Sequence, residues 1–166
     1  MDENFKMVAK TFYGFADILS KELLTLGAQN IEKGSRSVSF YGDKGFMYKA
    51  NLSLRTAIKI LKPIRSFKFK DQDDFYNNLY KINWEKHLDK DGSFLVSSIV
   101  FHSEIFNHSK YVSQKVKDAV VDRFRDLFKK RPDVELKVPD LRINIHINRN
   151  TCNVSLDSSG ESLHKR

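Results

Sequence analysis

Apolar and polar positions in the first third of the chain repeat first with the period of a strand and then with that of a helix. Residues 5–11 alternate loosely and predict a strand, and residues 15–26 carry apolar side chains at helical spacing and predict a helix. Two short β-type runs, residues 29–33 and 37–41, flank a Gly-Ser turn and predict a hairpin.

Residues 43–70 complete a first predicted unit. Residues 43–50 resemble a short helical segment, and residues 53–61 place apolar side chains on one side of an amphipathic helix and a basic stripe on the other. Pro63 is expected to end this helix, and residues 64–69 then predict a strand. The order strand, helix, strand, strand, helix, strand is that of a ferredoxin-like βαββαβ unit.

The rest of the chain predicts a second unit, with a boundary near residue 70. Its apolar strand, FLVSSIVF, is expected to lie at the centre of its sheet because it is apolar at nearly every position. The unit is predicted as two helical segments, this strand, a long helix and a terminal hairpin, at residues 71–82, 84–88, 94–101, 109–130, 142–148 and 151–156. The order is ααβαββ, so the predicted fold class is α/β, of the α+β kind.

The positive charge of the chain is concentrated in its first part. The 166 residues carry 29 Lys and Arg against 21 Asp and Glu, a net charge of +8. Residues 1–70 hold 13 basic and 6 acidic residues, or +7, whereas residues 71–166 hold 16 and 15, or +1. Within the first part, residues 44–70 contain eight basic residues and no carboxylate. Such a balance favours a polyanionic partner.

Two interpretations of this run stay open. A solvated face that only keeps the protein soluble interleaves both signs of charge. A phosphate-binding surface excludes carboxylates, because they repel the nucleic-acid backbone. The absence of acids favours the second interpretation. The candidate phosphate contacts are Lys49, Arg55, Lys59, Lys62, Arg65 and Lys68.

A second candidate group lies at the start of the long predicted helix, where FNHSKY combines aromatic rings, an imidazole and a lysine. The alternative is a capping loop, in which Asn107 or Ser109 caps the helix while Phe106 packs as a hydrophobic staple. The candidate RNA contacts of this group are His108, Lys110, Tyr111 and Lys117.

Other chemistry finds little support in the sequence. Cys152 is the single cysteine, which excludes an internal disulfide and a zinc site of several thiolates, and favours a reduced cytoplasmic setting. The histidines lack the i, i+4 spacing of a metal-binding helix, the glycines form no phosphate loop, and no run approaches the ~20 apolar residues of a membrane helix. We therefore predict no metal, cofactor or catalytic residue in this chain, and no membrane partner.

Three further residues have structural interpretations. Arg123 falls on the apolar side of the long helix, where we expect it to snorkel or to form a salt bridge at the edge of the stripe. Trp84 is expected to anchor a core, and Cys152 to fill a small space in the core or on the surface.

Four segments, FNHSKYVSQKVKDAVVDRFR, NLSLRTAIKIL, NWEKHL and SLDSSGESLHKR, resemble the N-terminal region of bacterial THUMP-domain RNA methyltransferases. The resemblance covers essentially the whole chain. In the large-subunit ribosomal RNA guanine methyltransferases of this family, a ferredoxin-like unit and a THUMP domain bind RNA ahead of a Rossmann-like S-adenosylmethionine domain.

The resemblance implies a domain organisation. Residues 1–70 would be the ferredoxin-like unit, although a profile of the THUMP domain could begin near residue 45. Residues 71–157 would be the THUMP domain, and residues 158–166 a linker toward a methyltransferase domain that we expect beyond this chain.

The resemblance also implies a function, namely an RNA-binding module of an rRNA guanine-N2 methyltransferase. The family's catalytic signature, Asn or Asp followed by Pro-Pro and an aromatic residue, is absent because Pro63, Pro132 and Pro139 are never adjacent. S-adenosylmethionine would belong to the C-terminal methyltransferase domain, and the partners would be that domain and ribosomal RNA. The alternative is a protein-interaction domain that docks its basic face on an acidic partner or on its own catalytic domain.

Overall fold

The computed structural model describes residues 3–159, whose backbone divides into two units. The first comprises residues 3–63 together with 157–159, and the second comprises residues 64–156.

The first unit has the predicted ferredoxin-like element order. Its elements are β1 (Phe5–Lys10), α1 (Ala16–Leu26), β2 (Gln29–Lys33), β3 (Ser37–Gly42), α2 (Lys44–Ser53) and the beginning of β4 (Lys59–Lys68). The strands follow the order β2-β3-β1-β4, and each neighbouring pair is antiparallel. The predicted βαββαβ unit is therefore confirmed.

Apolar spacing and caps explain both helices of this unit. Leu19 and Leu23 of α1 are one turn apart and fully buried, and the helix ends at Gly27, whose φ of 103° suits glycine. Helix α2 begins at Asp43, whose carboxylate accepts a hydrogen bond from the Phe46 N–H at 2.7 Å. The two helices and one face of the sheet enclose a core that includes Phe40.

The helix predicted at residues 53–61 is wrong, because α2 has already ended at Ser53 and Leu54 is extended. The Glu22 carboxylate on α1 accepts hydrogen bonds from the N–H groups of Arg55 (2.8 Å) and Thr56 (3.0 Å), and from the Thr56 hydroxyl. The chain then joins the sheet, where Ile58 N–H donates to the Lys10 carbonyl at 2.7 Å.

A strand explains the next residues better than a helix does. Ile60 is fully buried and pairs with Ala9 of β1. Pro63 lies inside β4 and does not end a helix. The basic stripe of Arg55, Lys59 and Lys62 on a helix face therefore does not exist.

The second unit confirms the predicted order ααβαββ and adds a short strand. Its elements are α3 (Gln72–Tyr80), a 3₁₀ turn (Trp84–Lys86), β5 (Ser93–Phe101), α4 (Ser109–Phe128), β6 (Asp133–Val134), β7 (Leu141–Asn148) and β8 (Thr151–Asp157). These strands follow the order β8-β7-β5-β6. β5 pairs with β7 from Phe94 to Phe101, but with β6 only at Ser93 and Phe94. The predicted central position therefore holds only at the start of β5, and Ile99 and Phe101 near its end are about half-exposed. Strand β5 is parallel to β6 and β7, and β7 and β8 form the predicted antiparallel hairpin.

Aromatic side chains dominate the core of the second unit. The Phe75 ring contacts the rings of Phe69 and Phe106 edge to face, with centroids 5.1 and 4.8 Å apart. Trp84 is fully buried and its indole N–H donates to the Leu79 carbonyl at 2.9 Å, which confirms it as a core anchor. Cys152 is also part of this core, and burial raises the pKa of its thiol to about 12.

Arg123 forms the predicted salt bridge at the edge of this core. Its guanidinium contacts the Glu85 carboxylate at 2.8 Å and donates to the Tyr80 carbonyl at 2.9 Å. The guanidinium also holds the pKa of Glu85 below its usual range.

None of the helices within residues 3–159 has the length and apolar character that crossing a bilayer requires.

Replacing Glu22 with alanine tests what holds the connection into β4. Glu22→Ala removes the acceptor of the Arg55 and Thr56 N–H groups, so we expect the free energy of unfolding to fall by about 2 kcal/mol. Urea denaturation followed by far-UV circular dichroism measures this decrease, and amide hydrogen exchange at residues 55 and 56 should accelerate. Glu32→Ala, an exposed change on β2, is the control. A Glu22→Ala protein within about 0.5 kcal/mol of wild type would contradict the assignment.

Candidate nucleic-acid interface

The basic residues predicted to bind phosphate do not share one face. In the first unit, Lys59 and Lys62 are three positions apart on β4, so their side chains leave opposite faces of the strand. Arg55 is exposed in the connection before β4. The Lys49 ammonium on α2 donates to the Leu26 carbonyl at 3.2 Å.

The same alternation applies to the part of β4 that belongs to the second unit. Arg65 and Lys68 are both exposed and lie on opposite faces of the strand. The charge run is therefore divided between faces and between units, and no continuous stripe forms from it.

A different grouping of lysines appears on the face of the first unit's sheet that points away from the core beneath α1 and α2. Met7 and Ala9 of β1 point into the core beneath the helices, so Lys6 and Lys10 point to the opposite face. Lys59 joins them, because it lies directly opposite Lys10 in the register of β1 and β4. We call this set the lysine face; its members are Lys6, Lys10 and Lys59, with Ser37, Ser39 and Tyr41 of β3 beside them.

The lysine face is electrostatically unfavourable in the free protein. Lys10 and Lys59 are directly opposed like charges, and both are half-buried. Partial burial lowers the pKa of Lys10 because it penalises the charged ammonium. Within residues 3–159, no hydrogen bond or ion pair holds either ammonium. An anion bound beside these lysines would offset the cost of burying their charge.

Lys62 lies on the helix side of the sheet and has an aromatic partner. Its ammonium is 4.4 Å from the centroid of the Phe5 ring, which is the geometry of a cation–π contact. Lys62 is therefore less available to phosphate than Lys59, although both were equal candidates for phosphate contact from the sequence.

The second candidate group is partly brought together by the start of α4. Ser109 and three predicted residues, His108, Lys110 and Tyr111, line an open hollow of about 680 Å³. The Tyr111 hydroxyl donates to the Gln72 amide oxygen at 2.8 Å, which holds the half-exposed ring in place. Lys117 lies two turns further along α4 and does not line the hollow.

The expected cap of α4 is not formed by Asn107 or Ser109. The residue at the N-cap is His108, which is extended and makes no side-chain capping bond. Ser109 is already helical and Asn107 lies one residue before the cap, so neither has the required position. Phe106 is buried, as the staple interpretation expects.

In the part of the chain that the structure describes, no group of three His, Cys, Asp or Glu side chains is arranged to hold a metal ion.

Sequence reasoning missed Lys6 and Lys10, although a signal was present. Both precede the basic run, and both fall on the polar phase of the alternation in Phe5–Lys10. That Lys10 lies opposite Lys59 follows only from the register of β1 against β4, and a count of charges along the sequence does not reveal this register.

Comparison with known proteins agrees with this fold. A THUMP domain model matches residues 69–157, and a model of the RlmL ferredoxin-like domain matches residues 6–61. The fold therefore defines a ferredoxin-like unit followed by a THUMP domain, and the chain belongs to the THUMP-domain family.

Individual relatives carry methyltransferase names. The chain is 39% identical over all 166 residues to a "Ribosomal RNA large subunit methyltransferase K/L" of Syntrophotalea carbinolica, and spans 23% of that protein. It is 35% identical over 92% of its length to a "Putative RNA methyltransferase" of Synechocystis, and spans 40% of that protein. A solved "possible methylase" from Clostridium difficile superposes with a TM-score of 0.86 at 24% identity, over 98% of this chain and 43% of that one. The chain thus spans less than half the length of these relatives.

Replacing Lys10 tests the electrostatic cost of the lysine face. Lys10→Met removes a partly buried charge opposite Lys59, so we expect the urea midpoint at pH 7 to rise. The pKa of Lys10 is lowered in the folded state, so the folded wild type releases this proton before the unfolded chain does. Wild-type stability should therefore rise as the pH increases through the lowered pKa toward the unfolded value near ~10.4, and the gap to Lys10→Met should narrow. A Lys10→Met protein less stable than wild type at pH 7 would contradict this account.

Proposed function

We propose that this chain is the RNA-binding module of an S-adenosylmethionine-dependent large-subunit rRNA guanine-N2 methyltransferase, and that it presents structured RNA to a catalytic domain. The observation that carries the proposal is the lysine face, where Lys10 and Lys59 are opposed without an anionic partner among the described residues. The family membership and the names of the relatives support the same function.

The chain matches only a part of each methyltransferase relative. We propose that methyl transfer and the S-adenosylmethionine site belong to a methyltransferase domain outside this chain. The proposed partners of this chain are ribosomal RNA and that methyltransferase domain, in the cytoplasm.

We also propose the domain organisation that the sequence predicts, with residues 1–70 as the ferredoxin-like unit and residues 71–157 as the THUMP domain. Residues 158–166 would lead toward the catalytic domain. Of that segment, residues 160–166 lie outside the described residues.

Phosphate binding would follow two routes. On the lysine face, each ammonium that neutralises a phosphate releases condensed counterions, which supplies affinity without reading the base sequence. In the hollow at the start of α4, His108, Lys110 and the Tyr111 ring offer hydrogen bonds, charge and a stacking surface. Recognition would then depend mainly on the shape of the RNA. Contacts by Lys49, Arg55, Lys62, Arg65, Lys68 and Lys117 stay predictions.

A salt series on a triple variant tests the lysine face. We expect Lys6→Gln, Lys10→Gln and Lys59→Gln together to weaken binding to a folded ribosomal RNA fragment and to reduce the slope of log K against log salt by about 2 to 3, one unit for each phosphate that is no longer neutralised. Fluorescence anisotropy measures the affinities, and circular dichroism checks the fold. The control changes Lys21, Lys81 and Lys86 to Gln, which removes the same charge from exposed positions elsewhere.

The outcomes separate RNA binding from the alternative. Equal slopes for the triple variant and its control would overturn the role of the lysine face. No wild-type binding to folded or unstructured RNA at ~100 mM salt, together with salt-sensitive binding to an acidic protein, would replace the RNA function with protein docking.

A further inference from the structure

A polar cleft of about 560 Å³ lies in the second unit and shares no lining residue with the lysine face or the hollow of α4. Three chain segments line it: residues 69–70 after β4, residues 102–105 after β5, and the turn of residues 149–150 between β7 and β8. Backbone hydrogen bonds join the segments, since Arg149 N–H donates to the Phe101 carbonyl at 2.8 Å and Phe69 N–H to the Asn150 carbonyl at 2.9 Å. The main chain therefore fixes the shape of the cleft.

Both signs of charge line this cleft without pairing. Its charged side chains are Lys70, Glu104 and Arg149, the imidazole of His102 adds a hydrogen-bond donor, and all four are exposed. Within residues 3–159, no hydrogen bond or ion pair occupies any of these four side chains. Apolar surface comes from buried Phe69 and half-buried Ile105. A small site with a few converging polar groups beside apolar surface is typical of ligand binding.

Two of the lining residues adopt a conformation that favours glycine. His102 has a φ of 53° and Arg149 a φ of 57°. Arg149 is the first of the two turn residues between β7 and β8, a position that Gly or Asn usually fills in a two-residue hairpin. Non-glycine residues in the left-handed region have a strained backbone, and such residues cluster at active sites and ligand-binding sites. At this turn, the strained residue brings a guanidinium to the cleft.

The mixture of charges defines the chemistry of the ligand. Phosphate oxygens only accept hydrogen bonds, so they match Lys70, His102 and Arg149. The Glu104 carboxylate repels phosphate, and it can accept a hydrogen bond from a ligand hydroxyl in exchange for one from water. In an internal nucleotide, the ribose 2′-hydroxyl lies between phosphate and base, and it is the donor that RNA has and DNA lacks.

We propose that this cleft binds one unpaired nucleotide of RNA, with Lys70, His102 and Arg149 contacting its phosphates and Glu104 accepting a hydrogen bond from its 2′-hydroxyl. The proposal rests on the RNA-binding function proposed above and adds to it a preference for ribose. The lysine face would bind the backbone of RNA or DNA, and the cleft would distinguish them.

Two variants test the cleft, with a short single-stranded RNA and its all-deoxy counterpart as probes in anisotropy measurements. Arg149→Gly should lower RNA affinity about tenfold, the effect of removing one charge-assisted hydrogen bond, while its urea midpoint stays equal or rises because glycine relieves the strain. Glu104→Ala should weaken RNA binding and strengthen DNA binding, so that the ratio of the two affinities approaches one.

The chain offers a matched control for each variant. Lys129 at the end of α4 is also basic, exposed and left-handed, with a φ of 57°, but it does not line the cleft. Lys129→Gly therefore removes the same charge and the same kind of strain elsewhere in the unit. Glu135→Ala likewise removes an exposed carboxylate outside the cleft.

Each outcome bears on the proposal. Reduced RNA affinity in Arg149→Gly but not in Lys129→Gly, with a reduced RNA preference in Glu104→Ala alone, supports it. Wild-type RNA binding that neither cleft variant changes overturns the cleft and leaves the lysine face intact. In another outcome, an acidic peptide displaces the RNA, and Arg149→Gly weakens peptide and RNA binding by the same factor. The cleft would then recognise negative charge alone, and this result also overturns the proposal. No RNA binding by wild type would overturn the proposed function and the cleft together.

Discussion

The contact between the Glu22 carboxylate and the backbone of residues 55 and 56 determines where the first unit returns to its sheet. The rest of that unit depends on it, because β4 begins three residues later and pairs with β1 in a single register. A slip of one residue would turn Ile60 away from the core and Lys59 toward it. The register that buries Ile60 also places Lys59 opposite Lys10, so one constraint builds both the core and the charged face.

Elements with a clear period were predictable from the sequence alone. Apolar residues repeat with helical spacing in α1 and alternate in the β7–β8 hairpin, and neither pattern suits another type of secondary structure. Residues 53–61 were ambiguous, because Leu54, Ala57 and Leu61 suit a helix while Ile60 and Leu61 suit a buried strand. The group that decides between them, Glu22, is more than 30 residues away in the sequence. Strand β6 has only two residues and no period to detect.

The candidate site was less predictable than the fold for a related reason. Charge counting located a basic run, but the direction of each side chain depends on whether its backbone is a helix or a strand. Lys10 is distant from that run in sequence and joins Lys59 only through strand pairing. The cleft was invisible, since its three segments are widely separated along the chain and none contains an unusual motif.

Both units pair some cations with carboxylates, as in Lys33 with Asp17 in the first unit and Arg123 with Glu85 in the second. Both units also leave cations without a carboxylate among the described residues, namely Lys10 and Lys59 on the lysine face and Lys70 and Arg149 in the cleft. Net charge, +7 for residues 1–70 and +1 for residues 71–166, therefore does not reveal the unpaired cations of the second unit. Which cations are left without a carboxylate is the more informative property.

The burial of Cys152 has a practical consequence for studying this molecule. It is the single cysteine of the chain, and a thiol whose pKa is about 12 holds almost no thiolate at neutral pH. The native protein therefore offers alkylating reagents essentially no target. A cysteine placed on any exposed turn would be the sole labelling site, so spin labels, fluorophores or photocrosslinkers can be attached one position at a time without first removing a native thiol.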